Sequence, residues 1–77
     1  MTKLPLLSSE VIIKKLKKAG FIDAPFQGKG SHSALYKVRN DGRKLLVIIP
    51  KNNPVPRSTL ISILKQADLT KEEFIAL

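Results

Sequence analysis

The sequence predicts an α+β protein: a three-stranded antiparallel sheet with helices packed on one face, in the order α-β-β-β-α-α. Three observations predict it. Apolar residues recur at helical spacing near both ends of the chain. The middle holds short runs rich in Leu, Val, Ile and Tyr, bounded by Gly, Pro, Asn and Asp. Between two of those runs stands Asn40-Asp41-Gly42-Arg43, a strong turn signal because its residues tolerate positive φ.

Ser8-Ser9-Glu10 supplies capping hydroxyls and a first-turn carboxylate. Behind it Ile12, Leu16 and Ala19 share a helical stripe, with Lys14, Lys17 and Lys18 opposite and Gly20 as the stop. The first helix is therefore placed at about Ser9 to Lys18. Phe21 to Gly28 reads as an extended segment, interrupted by Pro25 and ended by Gly28 and Gly30. His32 to Arg39 is a second strand. Lys44 to Ile49 is a third, whose apolar run Leu45-Leu46-Val47-Ile48-Ile49 predicts a central or well-covered place. The three form a meander. Pro50 to Arg57 is a loop. Leu60, Ile63, Leu64 and Ala67 mark a helix from about Ser58 to Ala67. Thr70-Lys71-Glu72-Glu73 is a capping box that opens a short final helix carrying Phe74, Ile75 and Leu77.

Seventy-seven residues read as one domain, 1–77, and a chain of this size buries only roughly two-thirds of its unfolded surface. Without cysteine it has neither disulfides nor thiolate metal sites to add stability, which fits a reducing cytoplasm. No apolar run approaches a membrane span, and Met1 to Leu7 lacks a signal peptide's apolar core. The expected location is the cytoplasm. The net charge is +8, and residues 1–67 carry thirteen basic residues against three acidic ones. Such an imbalance attracts polyanions, nucleic acid above all, although a solvated cationic surface explains part of it.

The chain has one histidine, His32, inside Gly28-Lys29-Gly30-Ser31-His32-Ser33-Ala34-Leu35-Tyr36. Lys29 and Ser31 flank it with a cation and a hydroxyl, groups that hold a phosphate and orient a proton donor. Gly28 and Gly30 allow a backbone to approach a substrate, or simply make a tight turn. His32 shares strand phase with Ala34, Tyr36 and Val38, so it stands at the edge of the core side if those residues face the core. Tyr36 would lie about 13 Å along the same face. The carboxylates Glu10, Asp23, Asp41, Asp68, Glu72 and Glu73 show no convergent spacing for a metal. No cofactor is expected.

Gly30-Ser31-His32-x-x-x-Tyr36, preceded by Leu16-Lys17-Lys18-Ala19-Gly20-Phe21, resembles the HicA (YcfA-like) toxin family. The segment from Thr59 to Phe74 is similar to that family's C-terminal helix and tail, so the resemblance spans residues 8–77. It implies a double-stranded-RNA-binding-domain-like α-β-β-β-α fold. It further implies a ribonuclease that cleaves messenger RNA, a HicB-type antitoxin that holds it inactive, and His32 as the catalytic histidine. Members of the family also place a histidine shortly after the proline that ends strand three. This chain has Pro50-Lys51-Asn52 there, and asparagine cannot exchange a proton. Where the family has Gly-Thr-Leu at the last long helix, this chain has Ser58-Thr59-Leu60.

RNA carries its own nucleophile, the 2′-hydroxyl, so a base alone starts cleavage and no metal is chemically required. A neutral imidazole, whose ordinary pKa is about 6.5, suits that task near neutral pH. Lys29 and Lys51 would offset charge on the phosphoryl oxygens. Lys29, Gly30, Ser31, Lys37 and Lys51 form the expected RNA-contact set. The proton donor to the leaving 5′-oxygen stays open among water, His32 and Lys29. Two alternatives share the same fold: a non-catalytic RNA-binding module, and a basic protein-interaction subunit for an acidic partner.

Overall fold

The computed structural model describes residues 4–24, 32–51 and 53–77, with the backbone alone at residue 32. Its elements run α1 (Ser9–Lys18), β1 (Ile22–Asp23), β2 (His32–Val38), β3 (Lys44–Pro50), α2 (Arg57–Ala67) and α3 (Lys71–Ile75). The strands form an antiparallel sheet in the order β1-β2-β3. The α-β-β-β-α-α layout agrees with the expected α+β, double-stranded-RNA-binding-domain-like class.

Local chemistry explains where the helices start and stop. The Val11 N–H donates to Ser8 Oγ at 3.4 Å, capping α1. At its other end Phe21 N–H reaches Leu16 O and Gly20 N–H reaches Lys17 O, both at 3.1 Å. Gly20 has φ +102°, so the helix closes on a left-handed glycine. Helix α2 ends in the same pattern, Leu69 N–H to Leu64 O at 3.0 Å and Asp68 N–H to Lys65 O at 3.2 Å. Here Asp68, at φ 57°, stands where glycine is usual, and its carboxylate accepts from Arg39 of the strand region. The turn after β2 matches its sequence signal. Gly42 N–H meets Arg39 O at 2.9 Å, and Arg43 N–H meets Asp41 Oδ1 at 2.9 Å.

The core lies between the helices and one face of the sheet. Ile12 and Leu16 of α1 and Leu60, Ile63, Leu64 and Ala67 of α2 bury against Leu35, Val47 and Ile49, with Phe21 and Phe74 filling the ends. Leu35 pairs with Val47, and Ser33 with Ile49, so these positions share one face. Burying one such aliphatic chain stabilises by about 1.5–3 kcal/mol.

Two expectations change. The helix-packed core takes Leu35 from β2, so Ala34, Tyr36 and Val38 belong to the other face, where Ala34 is itself buried and Val38 exposed; position 32 has the phase of that second face. Second, β3 is an edge strand, and β2 is central. The apolar run misleads because only Val47 and Ile49 are buried, while Leu46 faces outward. Part of the exposed edge is met by Gln66 of α2, whose Oε1 accepts the Ile48 N–H at 3.1 Å.

The residues before α1 also pack. Leu4 is buried, Arg57 Nε donates to Leu4 O at 2.8 Å, and Val55 N–H donates to Leu7 O at 2.8 Å. At the opposite end Lys15 Nζ reaches Leu77 O at 3.0 Å and lies over the Phe74 ring, holding α3 against α1.

Phe74→Ala should cost about 3–5 kcal/mol, because the ring is fully buried and a helix of one turn and a half cannot refill its space. Urea unfolding at neutral pH measures this. The α3 capping box is complete: Thr70 N–H donates to Glu73 Oε1 at 2.9 Å, and Glu73 N–H to Thr70 Oγ1 at 3.1 Å. The Thr70 backbone N–H, then its hydroxyl, hold the Glu73 carboxyl below its ordinary pKa. A depressed folded pKa means the stabilisation is full above the unfolded value and is lost as pH falls through the folded one. Wild type should therefore lose its margin over Glu73→Gln on acidification through and below the ordinary glutamate range. Melting curves across that range decide it; a pH-independent difference would show that the charge is irrelevant to the cap.

Candidate functional site

Position 32 opens β2 and pairs with Pro50, the last residue of β3. The pairing has a simple cause. Proline has no N–H to donate, so a ladder tends to end there, and the partner at that end becomes the first residue of the neighbouring strand. The residue after Pro50 is Lys51, which is exposed. The backbone thus brings residue 32 and Lys51 to one end of the sheet, on adjoining strands.

Lys29, Gly30 and Ser31 lie outside the described residues, as does Asn52. Of the expected contact set, His32 is located by its backbone, and Lys37 and Lys51 are located in full.

Lys37 is held elsewhere. It pairs with Leu45, five positions along β2 from residue 32, or about 17 Å at strand rise. It also has the parity of Leu35, hence of the helix-covered face. Its Nζ donates to Ala19 O at 2.7 Å and lies 5.8 Å from the Phe21 ring centroid. The ammonium caps the C-terminal carbonyls of α1, where a cation also suits the helix dipole. This role was missed because it joins residues 18 apart across two elements, and no local pattern marks such a contact.

Other cations differ in the same way. Lys17 forms an exposed ion pair with Asp23 at 3.3 Å, and Arg39 pairs with Asp68. Exposed pairs of this kind contribute little to stability. Lys44 lies over the Tyr36 ring at 4.7 Å, on the face of the sheet opposite the one that carries Leu35 and Val47. Lys14, Lys18, Arg43 and Lys51 are exposed. Among the described residues no group of His, Cys, Asp and Glu is placed to hold a metal ion, and no helix is long and apolar enough to cross a membrane.

Chemically, the sheet end offers one residue able to exchange a proton near neutral pH, beside a backbone that brings a lysine alongside it. Lys37→Met should lower stability by about 1.5–3 kcal/mol, the range for a hydrogen bond from a charged donor. Lys51→Met should leave the melting temperature unchanged. Thermal unfolding of both variants separates the structural lysine from the exposed one.

No curated protein sequence matches the chain. A family model described as the HicA toxin of bacterial toxin-antitoxin systems matches residues 9–69, from the first residue of α1 to just past α2. That span takes in the whole sheet, both longer helices and the sheet end with residue 32, so the chain belongs to the HicA toxin family.

Proposed function

We propose that this chain is a ribonuclease that cleaves messenger RNA, with His32 as its general acid–base residue. The observation that carries the reading is the register. It sets the chain's one histidine opposite Pro50, at a sheet end that also brings in the exposed Lys51. Membership in a toxin family supports it, as does a net charge of +8.

In this reading His32 removes the proton of a ribose 2′-hydroxyl. The freed oxygen attacks the adjacent phosphorus, the bond from phosphorus to the 5′-oxygen breaks, and the departing oxygen takes a proton from imidazolium or water. The electrons of the broken bond leave with that oxygen, so no oxidant, cofactor or metal is needed for balance. Lys29 and Lys51 offset charge on the phosphoryl oxygens, and Gly30 and Ser31 let the backbone approach. Lys37 acts in the fold beneath the sheet. The protein works as one domain in the cytoplasm, restrained by a HicB-type antitoxin. A non-catalytic module would bind the same RNA with steep salt dependence and leave it intact.

The test uses messenger RNA and excess chelator, wild type beside His32→Ala. The variant should cleave about 10²- to 10⁴-fold more slowly, the usual share of general acid–base assistance. A substrate with a single 2′-deoxy sugar should resist cutting at that sugar. Equal cleavage by the two proteins, or cutting at the deoxy position, overturns the reading.

A further inference from the structure

Helix α2 begins in a way that its own sequence does not support. Its N-cap is Pro56, which makes no side-chain hydrogen bond, and no acidic residue stands in the first turn. The first helical residue is instead Arg57, a cation at the end of the dipole where cations are disfavoured. The other two helices start on a hydroxyl cap and a first-turn carboxylate. What fastens this start comes from the other end of the sequence. Arg57 Nε donates to Leu4 O at 2.8 Å, 53 positions away, and Val55 N–H donates to Leu7 O at 2.8 Å. Leu7 and Val55 face each other in an isolated antiparallel bridge. Leu4 and Val55 are both buried in the core, so apolar packing backs each of the two bonds.

The chain before α1 is thus a strap laid against the segment that joins β3 to α2. That segment begins with Lys51. On one side it is anchored at Pro50, which the ladder pairs with residue 32. On the other side the strap anchors it at Val55. Only residues 51–54 lie between these anchors. With the strap released, the next fully buried anchor along the chain is Leu60, and the span becomes residues 51–59. Doubling a loop changes stability only slightly, but a lysine at its root then samples more positions. Catalysis is the more sensitive readout, because a displacement of about 1 Å can cost about 10²-fold in rate.

We propose that Arg57, with the strap of residues 4–7 that it holds, is a positioning residue for Lys51. It acts by fixing the segment that carries this lysine beside residue 32, and not by touching substrate. The inference rests on the nuclease reading and deepens it.

The test is a double-variant cycle on messenger-RNA cleavage in excess chelator, with Arg57→Met, Lys51→Met and the two combined. Methionine keeps an unbranched stem and removes the Nε donor. Each single variant should lower kcat/KM about 10-fold or more. The combined variant should be no slower than the worse single one, because a residue that acts through Lys51 loses its effect once Lys51 is gone. Leu4→Ala, which loosens the strap from its apolar side, should behave like Arg57→Met. Lys15→Met breaks a comparable tie, from a lysine to the Leu77 carbonyl, and should cut at the wild-type rate. Melting curves set an assay temperature at which every variant is folded. Amide exchange gives a reading apart from activity. In Arg57→Met the Lys51, Asn53 and Val55 amides should exchange faster, while Leu35 and Val47 keep their protection. Effects that multiply in the combined variant, or a Lys15→Met loss as large as that of Arg57→Met, overturn the positioning role. Unchanged exchange at Lys51, Asn53 and Val55 overturns the strap itself. A wild type that leaves RNA whole overturns the nuclease reading, and the role in cleavage falls with it; the exchange comparison still decides whether the strap holds the segment.

Discussion

The pairing of Leu35 with Val47 is the constraint on which the rest depends. These two side chains, with Ile49 beside them, are the part of the sheet that the helices bury completely. Strand side chains alternate with period two, so a slip of one residue would drive Leu46 or Tyr36 into the core and bring Val47 into water. Burial on one face therefore sets the register along all of β2 and β3. It sets Pro50 opposite residue 32, puts Lys51 next to that pair, and sends Lys37 to the helix-covered side. The backbone geometry at the sheet end is thus determined by packing at the sheet centre.

Elements whose signal is local were legible before any coordinates. Gly20 stops α1 because its φ is positive, and Asn40-Asp41-Gly42-Arg43 turns the chain because those residues accept that geometry. Thr70 and Glu73 cap α3 across three residues. What resisted was anything set by partners distant in sequence. Five apolar residues in a row suggest a covered strand, yet which of them are covered depends on where α2 lies. Leu46 and Val47 are equally apolar, and only tertiary packing separates them. The end of α2 shows the same limit. Asp68 adopts a left-handed conformation that costs most residues about 1–2 kcal/mol, and its carboxylate is held by Arg39, which lies 29 positions away. For the candidate site, His32 stood out in the sequence because it is the only histidine. Its relation to Lys51 required the register.

The positive charges divide into two populations with different work. Lys15 and Lys37 direct their ammonium groups at backbone carbonyls, those of Ile75 and Leu77 and that of Ala19. Each also lies over a phenylalanine ring of the core, Phe74 or Phe21. These two lysines add polar ties between elements that the core also joins, in a chain too short for a large core. Lys15 has a particular reach, because α3 lies beyond the residues that the family model matches. A long flexible stem with a cationic tip can bury its methylenes and still find an oxygen acceptor, which suits it to fasten a short appended helix. Net charge consequently overstates the number of cations available to a polyanion.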